Sequence, residues 1–291
     1  MTQAKIEPTS SRRRRHGASP ATSISIRAPR SSAPSGHRPP APELRAAIQA
    51  ELTRFFPDMH EDSRDRLVAQ AIVRPFRRGD ILSRQGDPLD VTLILSGFVA
   101  TRNMGVGGQS LTLGICGTGR LVGLSAVGGS SPAPFEVAAL TDGHAARWDG
   151  SFIRSVAEGD GHLILRLFDL KTQTVASLHQ RLQQVTFNDA RQRLAMVILA
   201  YGTLLSALGP VISRREVASL IGVTREMLGH AIRDLEAKQA VKRSGRQILI
   251  LDRPTLEETA AWSSASRAQL EALSATCVAP LDEGHPDTAP N

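Results

Sequence analysis

The sequence predicts an α+β chain: an N-terminal jelly-roll β-barrel, one long helix, and a C-terminal winged helix-turn-helix. Three observations carry that prediction. Between residues 72 and 149, short β-like runs recur between glycine-bearing turns. From Gly150 the apolar residues switch to helical spacing and hold it to Val185. After Val211 come two short helical patterns with capping residues, then an apolar run broken by a tight turn.

Composition narrows the class further. The 291 residues are 41% apolar and 22% charged, enough for two ordinary domains and too apolar for a wholly disordered chain. No run approaches the roughly 18 to 20 apolar residues of a membrane helix, and nothing near Met1 supplies the core of a secretory signal. A cytoplasmic protein without a membrane partner is expected. Cys116 and Cys277 are too few and too far apart for a disulfide framework or a four-cysteine cluster, so no iron–sulfur group is expected. Paired acids, a metal-ligand set and a nucleophile with its base are absent as recognisable motifs, which argues against an enzyme and against a metal site.

The net charge of +7 dissolves when divided along the chain. Residues 1–40 hold eight basic side chains and one acid, and the other 251 carry 27 of each sign. Residues 210–253 keep nine basic against five acidic groups, whereas 254–291 carry one against six. Residues 1–42, rich in Ser, Pro, Ala and Arg with a run Arg12 to Arg15, read as a disordered basic tail. Residues 254–291, with Trp262, read as a partly helical acidic tail.

Residues 43–150 come next as a sensor-like unit. Leu44, Ile48, Leu52 and Phe55 have helical spacing, interrupted by Pro57. Strands are expected at Thr92 to Leu95, Phe98 to Thr101, Ser110 to Leu113, Phe135 to Leu140 and Ala145 to Trp148. Many short strands at regular spacing mean a small barrel or jelly roll. Residues 151–187 are helical, with Leu163, Leu167, Leu170, Thr174, Leu178, Leu182 and Val185 as one apolar stripe. A stripe of about six turns is long for a helix that only covers a barrel, so it is expected to pair two copies of the chain.

Residues 188–253 carry the chemistry. Ser213 and Glu216 form a capping-box pattern, in which the glutamate side chain reaches back to the cap and a helix starts at about Arg214. Gly222 stops that helix, and Thr224 caps a second one with Leu228, Ala231, Ile232 and Leu235 on its inner face. Two short helices joined by a tight glycine turn are a helix-turn-helix. Arg225 and Glu226 fall in the first turn of the second helix, where base edges are met in the major groove. Arginine there offers two donors to guanine, and glutamate accepts from cytosine. The stretch Ala240 to Leu251 reads as a β-hairpin wing whose Lys242, Arg243 and Arg246, with Ser213 and Thr224, would position the DNA backbone.

These residues resemble the cAMP receptor protein and FNR (CRP/FNR) family. Arg78-Gly79-Asp80-Ile81-Leu82 through Gly86-Asp87, followed by Leu93 to Gly97, is similar to its sensor domain, which binds cyclic nucleotides in some members. Arg225-Glu226 before Gly229 is similar to its recognition helix. The resemblance covers about Leu44 to Asp252 and implies a homodimeric transcription regulator on palindromic double-stranded DNA, with RNA polymerase as a further partner. Half-sites would lie one turn of DNA, about 34 Å, apart.

Three departures qualify what carries over. Leu124 stands where cyclic-nucleotide binders place a glutamate, and Pro134-Phe135 where they place an Arg-Ser pair. A phosphate beside Gly123, Leu124, Ser125, Pro134 and Phe135 would lack a charged partner, so cAMP binding in the family manner is not expected. The third base-reading position, an arginine in the family, is His230, so the preferred operator should differ at that base pair. His179 is a further effector-pocket candidate, since the family often contacts effector from the long helix. Cys116 reads as a buried, inert cysteine, and no spacing among the eight histidines recommends haem ligation through His144, His162 or His179. The competing reading is a ligand-binding or scaffold protein whose helix-turn-helix holds a protein partner, and salt dependence of binding separates the two.

Overall fold

The computed structural model describes residues 42–260 apart from 108, 130–131, 207–210 and 246. The basic tail with Arg12 to Arg15, the wing residue Arg246, and the C-terminal stretch with Trp262 and Cys277 lie outside the described residues. Helices α1 (Pro42–Phe55) and α2 (Glu61–Gln70) precede eight strands. These are β1 (Ile72–Phe76), β2 (Ile81–Ser83), β3 (Asp90–Ser96), β4 (Val99–Met104), β5 (Ser110–Cys116), β6 (Arg120–Val122), β7 (Glu136–Ala139) and β8 (Gly143–Asp149). They form two four-stranded antiparallel sheets, ordered β1-β8-β3-β6 and β2-β7-β4-β5, which is a jelly roll. Strands β1, β2 and β6 escape the sequence reading. β1 contains Pro75, which has no amide to donate and is tolerated because β1 is the edge of its sheet.

The barrel interior is apolar, with Phe76, Ile94, Val99, Val122, Val137, Ala139 and Ala145 buried and Leu82, Cys116 and Phe135 packed against them. A second cluster joins α1 and α2 to the outer face of the β3–β8 sheet, where the Trp148 indole donates to the Leu67 carbonyl at 2.7 Å. After β8 come α3 (Gly150–Ala157), α4 (Gly161–Phe187) and α5 (Ala190–Ser206). Asp160 caps α4: its fully buried carboxylate accepts the amides of Leu163 at 3.1 Å and His60 at 2.9 Å. Burial alone would raise its pKa, but those amides and the Ser63 hydroxyl outweigh it and hold the carboxyl below its usual value.

Helix α4 corrects the expected pairing stripe. Leu163, Leu167 and Leu170 are buried against their own barrel and helices. The bare apolar residues are Ile164, Leu165, Phe168, Val175, Leu178, Leu182, Val185 and Phe187. Thr174 is exposed, its hydroxyl turned back to the Leu170 carbonyl at 2.9 Å. The sequence stripe therefore joins two faces of one helix. Ile164, Phe168, Lys171, Val175, Leu178, Leu182 and Val185 follow an alternating four-three spacing, the a/d seam of a coiled coil.

The third and largest cluster is shared. It contains Ala100, Ile115 and Leu140 of the barrel together with Leu194, Ile198, Val217, Leu228 and Leu235 of the C-terminal helices. No helix among the described residues is long and apolar enough to cross a membrane.

Candidate nucleic-acid interface

Helix α6 (Arg214–Ile221) begins at Ser213, whose Oγ accepts the Glu216 amide at 3.2 Å, and ends at Gly222. Gly222 sits at φ 67°, a left-handed conformation that side chains disfavour. Its amide and that of Val223 close the helix on Ser219 and Ala218 carbonyls. Helix α7 (Arg225–Ala237) starts at Thr224, whose Oγ1 accepts the Met227 amide at 3.3 Å. Leu228, Ala231, Ile232 and Leu235 are buried, which forces the opposite face outward. Arg225, Glu226 and His230 are all exposed on it. A hydrogen bond with the Thr224 side chain, ahead of a backbone amide and the Arg225 charge, holds the Glu226 carboxyl below its usual pKa. It therefore acts as an acceptor at neutral pH.

The wing is the hairpin β9 (Val241–Ser244) and β10 (Gln247–Ile250), followed by α8 (Arg253–Thr259). Lys242 is exposed, as a phosphate contact requires. Arg243 departs from the sequence reading: its guanidinium lies 2.6 Å from Glu236 of α7 and its amide donates to the same carboxylate at 3.1 Å. It ties the wing to α7. The sequence pattern also missed Arg214, which donates to the Gly245 carbonyl at 3.3 Å, and Arg233, one turn beyond His230.

Glu216 corrects the capping-box reading in its second half. Its carboxylate turns to the barrel, where Arg102 of β4 donates to Oε1 at 2.8 Å and the Thr112 hydroxyl of β5 lies 3.4 Å from Oε2. Beside it, the Thr112 amide donates to Ser219 Oγ at 2.9 Å, and the Ser219 hydroxyl donates to the Ser110 carbonyl at 2.7 Å. The first helix of the DNA-binding unit is thus bonded to the sensor barrel through buried polar groups.

In the sensor, Gly123 adopts φ 84°, and a Cβ there would fall 2.2 Å from the Asp90 carbonyl oxygen. It opens a 3-10 turn over Leu124–Gly128. Leu124 and Ser125 line an open cleft of about 410 Å³ with Leu167, Phe168 and Lys171, and the Lys171 ammonium donates to Ser125 Oγ at 3.2 Å. Pro134 leads into Phe135, which packs against the apolar barrel interior. Arg120 is buried two residues before Val122 and opposite Ile94, on the inward face of β6. His179 is exposed two turns beyond Lys171 and does not join the cleft. Leu124, Pro134 and Phe135 bring no charged side chain to this part of the sensor. No set of three or more His, Cys, Asp or Glu side chains able to hold a metal occurs among the described residues.

Comparison with known proteins agrees with this arrangement. The cyclic nucleotide-binding domain family matches residues 73–160, and the Crp-like helix-turn-helix domain family matches residues 192–259. Together they span more than half of the chain. The chain belongs to the CRP/FNR family. It is a transcription regulator with a DNA-binding helix-turn-helix rather than an enzyme. A CRP-like cAMP-activated global transcriptional regulator of Mycobacterium tuberculosis is 23% identical over 193 residues, 64% of this chain and 86% of that protein. In fold, this CRP/FNR regulator is similar to FixK2 of Bradyrhizobium japonicum, with TM-score 0.59, 20% identity and coverage of 67% and 99% of the two chains. It is likewise similar to the c-di-GMP-responsive global regulator CLP of Xanthomonas campestris, with TM-score 0.56, 18% identity and coverage of 66% and 99%.

Proposed function

We propose that this regulator acts as a homodimer in the cytoplasm, places its two α7 helices in successive major grooves of a palindromic operator, and reads bases with Arg225, Glu226 and His230. The observation that carries the reading is the exposed Arg225-Glu226 pair at the capped start of α7, opposite a fully buried face. Lys242, together with the capped helix starts at Ser213 and Thr224, holds the backbone. Arg225→Ala should weaken binding to the selected operator by about 1 to 3 kcal/mol while leaving random DNA nearly unaffected. Equal loss on both sequences, or affinity insensitive to salt, would remove α7 from base reading.

Pairing is assigned to the bare four-three seam of α4, because an apolar face of that length is costly to leave in water. Leu178→Glu should convert the dimer to monomer in analytical ultracentrifugation with the helical CD signal retained. It should also lower operator affinity at least about tenfold, since the second half-site no longer benefits from tethering.

The sensor is inferred to take an effector other than cAMP in the family manner. Leucine, proline and phenylalanine at Leu124 and Pro134-Phe135 supply no partner for a buried phosphate. The Xanthomonas relative is described as responsive to c-di-GMP, so one barrel fold serves more than one effector. Calorimetric titration with millimolar cAMP should give no binding heat, and saturable binding would overturn this point.

A further inference from the structure

The recognition helix carries a second guanidinium that the motif does not announce. Arg233 Nη2 lies 2.9 Å from Nδ1 of His230. The same side chain runs back toward the start of the helix, over Gly229: a Cβ built on Gly229 would lie 3.8 Å from Arg233 Nη1. Long helical side chains lean toward the N-terminus, so a residue one turn downstream covers the base-reading turn. Glycine at 229 leaves that lane open.

The hydrogen bond has a definite chemical consequence. Arginine has five donors and no acceptor, so the imidazole must accept at Nδ1, and its ring hydrogen is then on Nε2. We infer that Arg233 is a positioning residue for base recognition: it fixes His230 as a single Nε2–H donor toward the major groove. This inference rests on the assignment of α7 as the base-reading helix. A lone donor finds an acceptor on guanine, adenine or thymine, whose groove edges carry N7, O6 or O4. Cytosine presents its N4 amino group as a donor, and two donors repel. At the base met by His230, the regulator therefore excludes cytosine rather than selecting guanine. Without Arg233 the ring is free to present a bare nitrogen, and that exclusion lapses.

The test pairs binding-site selection with ring nitrogen spectroscopy on the full chain. The wild type should disfavour cytosine at one base of each half-site by on the order of tenfold, the scale of one polar mismatch. Arg233→Ala should shrink that discrimination to within about twofold while the other positions keep their preferences. Arg233→Lys, whose ammonium also donates, should restore it. In free protein labelled with 15N-histidine, the His230 signal, assigned by its loss in His230→Gln, should report the Nε2–H tautomer in the wild type and a mixture in Arg233→Ala. Both side chains are exposed, so folding is not at stake. Equal weakening on every sequence would make Arg233 a phosphate contact, and an unchanged profile or tautomer would show that the hydrogen bond orients nothing. Either result overturns the inference. Arg225→Ala serves as the control: a profile it leaves untouched would fault the reading of α7 itself, whatever the tautomer.

Discussion

Two arginine–glutamate pairs of nearly equal length hold the DNA-binding unit, and they do different work. Arg102–Glu216 spans the barrel and α6 at 2.8 Å with side chains 19% and 11% exposed, inside a network with Thr112 and Ser219. Arg243–Glu236 spans the wing and α7 at 2.6 Å with side chains 35% and 25% exposed. The shorter contact is the weaker constraint, because water screens it and is ready to replace either partner. The Arg102–Glu216 pair is less accessible to such a substitute. Removing one member leaves the other charged and desolvated. Distance therefore says little about which pair matters, and burial says most of it.

That comparison can be broken at both ends. The largest effect is expected at the barrel junction. Arg102→Ala should lower the stability of the chain by about 3 kcal/mol in urea denaturation, whereas the joint change Arg102→Met with Glu216→Leu should recover most of that loss. If the single change is silent, the junction is as wet as the wing. The smallest effect is expected for Arg243→Ala, which should barely move the denaturation midpoint near neutral pH. Its sign with pH follows from the carboxylate. The hydrogen bond from the Arg243 side chain holds Glu236 below its usual pKa, even against partial desolvation. The pair therefore contributes in full above the unfolded carboxylate range and fades as pH falls through the lowered value. The gap between wild type and Arg243→Ala should close on acidification, and a gap that widens would reverse the assignment.

Much of this molecule could be read from local pattern. The caps Ser213 and Thr224, the turn at Gly222 and the inner face of α7 lie where short-range spacing puts them, because each involves neighbours within a turn or two. Glu216 shows where that logic stops. A glutamate three residues after a serine cap suits a capping box, yet its partners Arg102 and Thr112 are more than a hundred residues away. Arg243 fails for a different reason: Glu236 is only seven residues away, but helix spacing says nothing of how the hairpin folds back on α7, so a basic wing residue looks available for phosphate until that carboxylate is placed against it. On α4 the heptad-like stripe was legible, but Leu163, Leu167 and Leu170 belong to the barrel side and Ile164, Phe168 and Val175 to the open side. Both faces are apolar, and periodicity alone does not say which one a barrel already covers.

By itself the sequence determined the caps, the glycine turn and the exposed face of α7 on which Arg225, Glu226 and His230 lie. Caps, turns and periods are properties of a chain and its near neighbours. Tertiary structure decided which charges are spent inside the protein and which face of α4 stays bare. Those outcomes depend on what packing brings alongside each group, and burial then fixes whether a charge faces water, a partner or an empty groove.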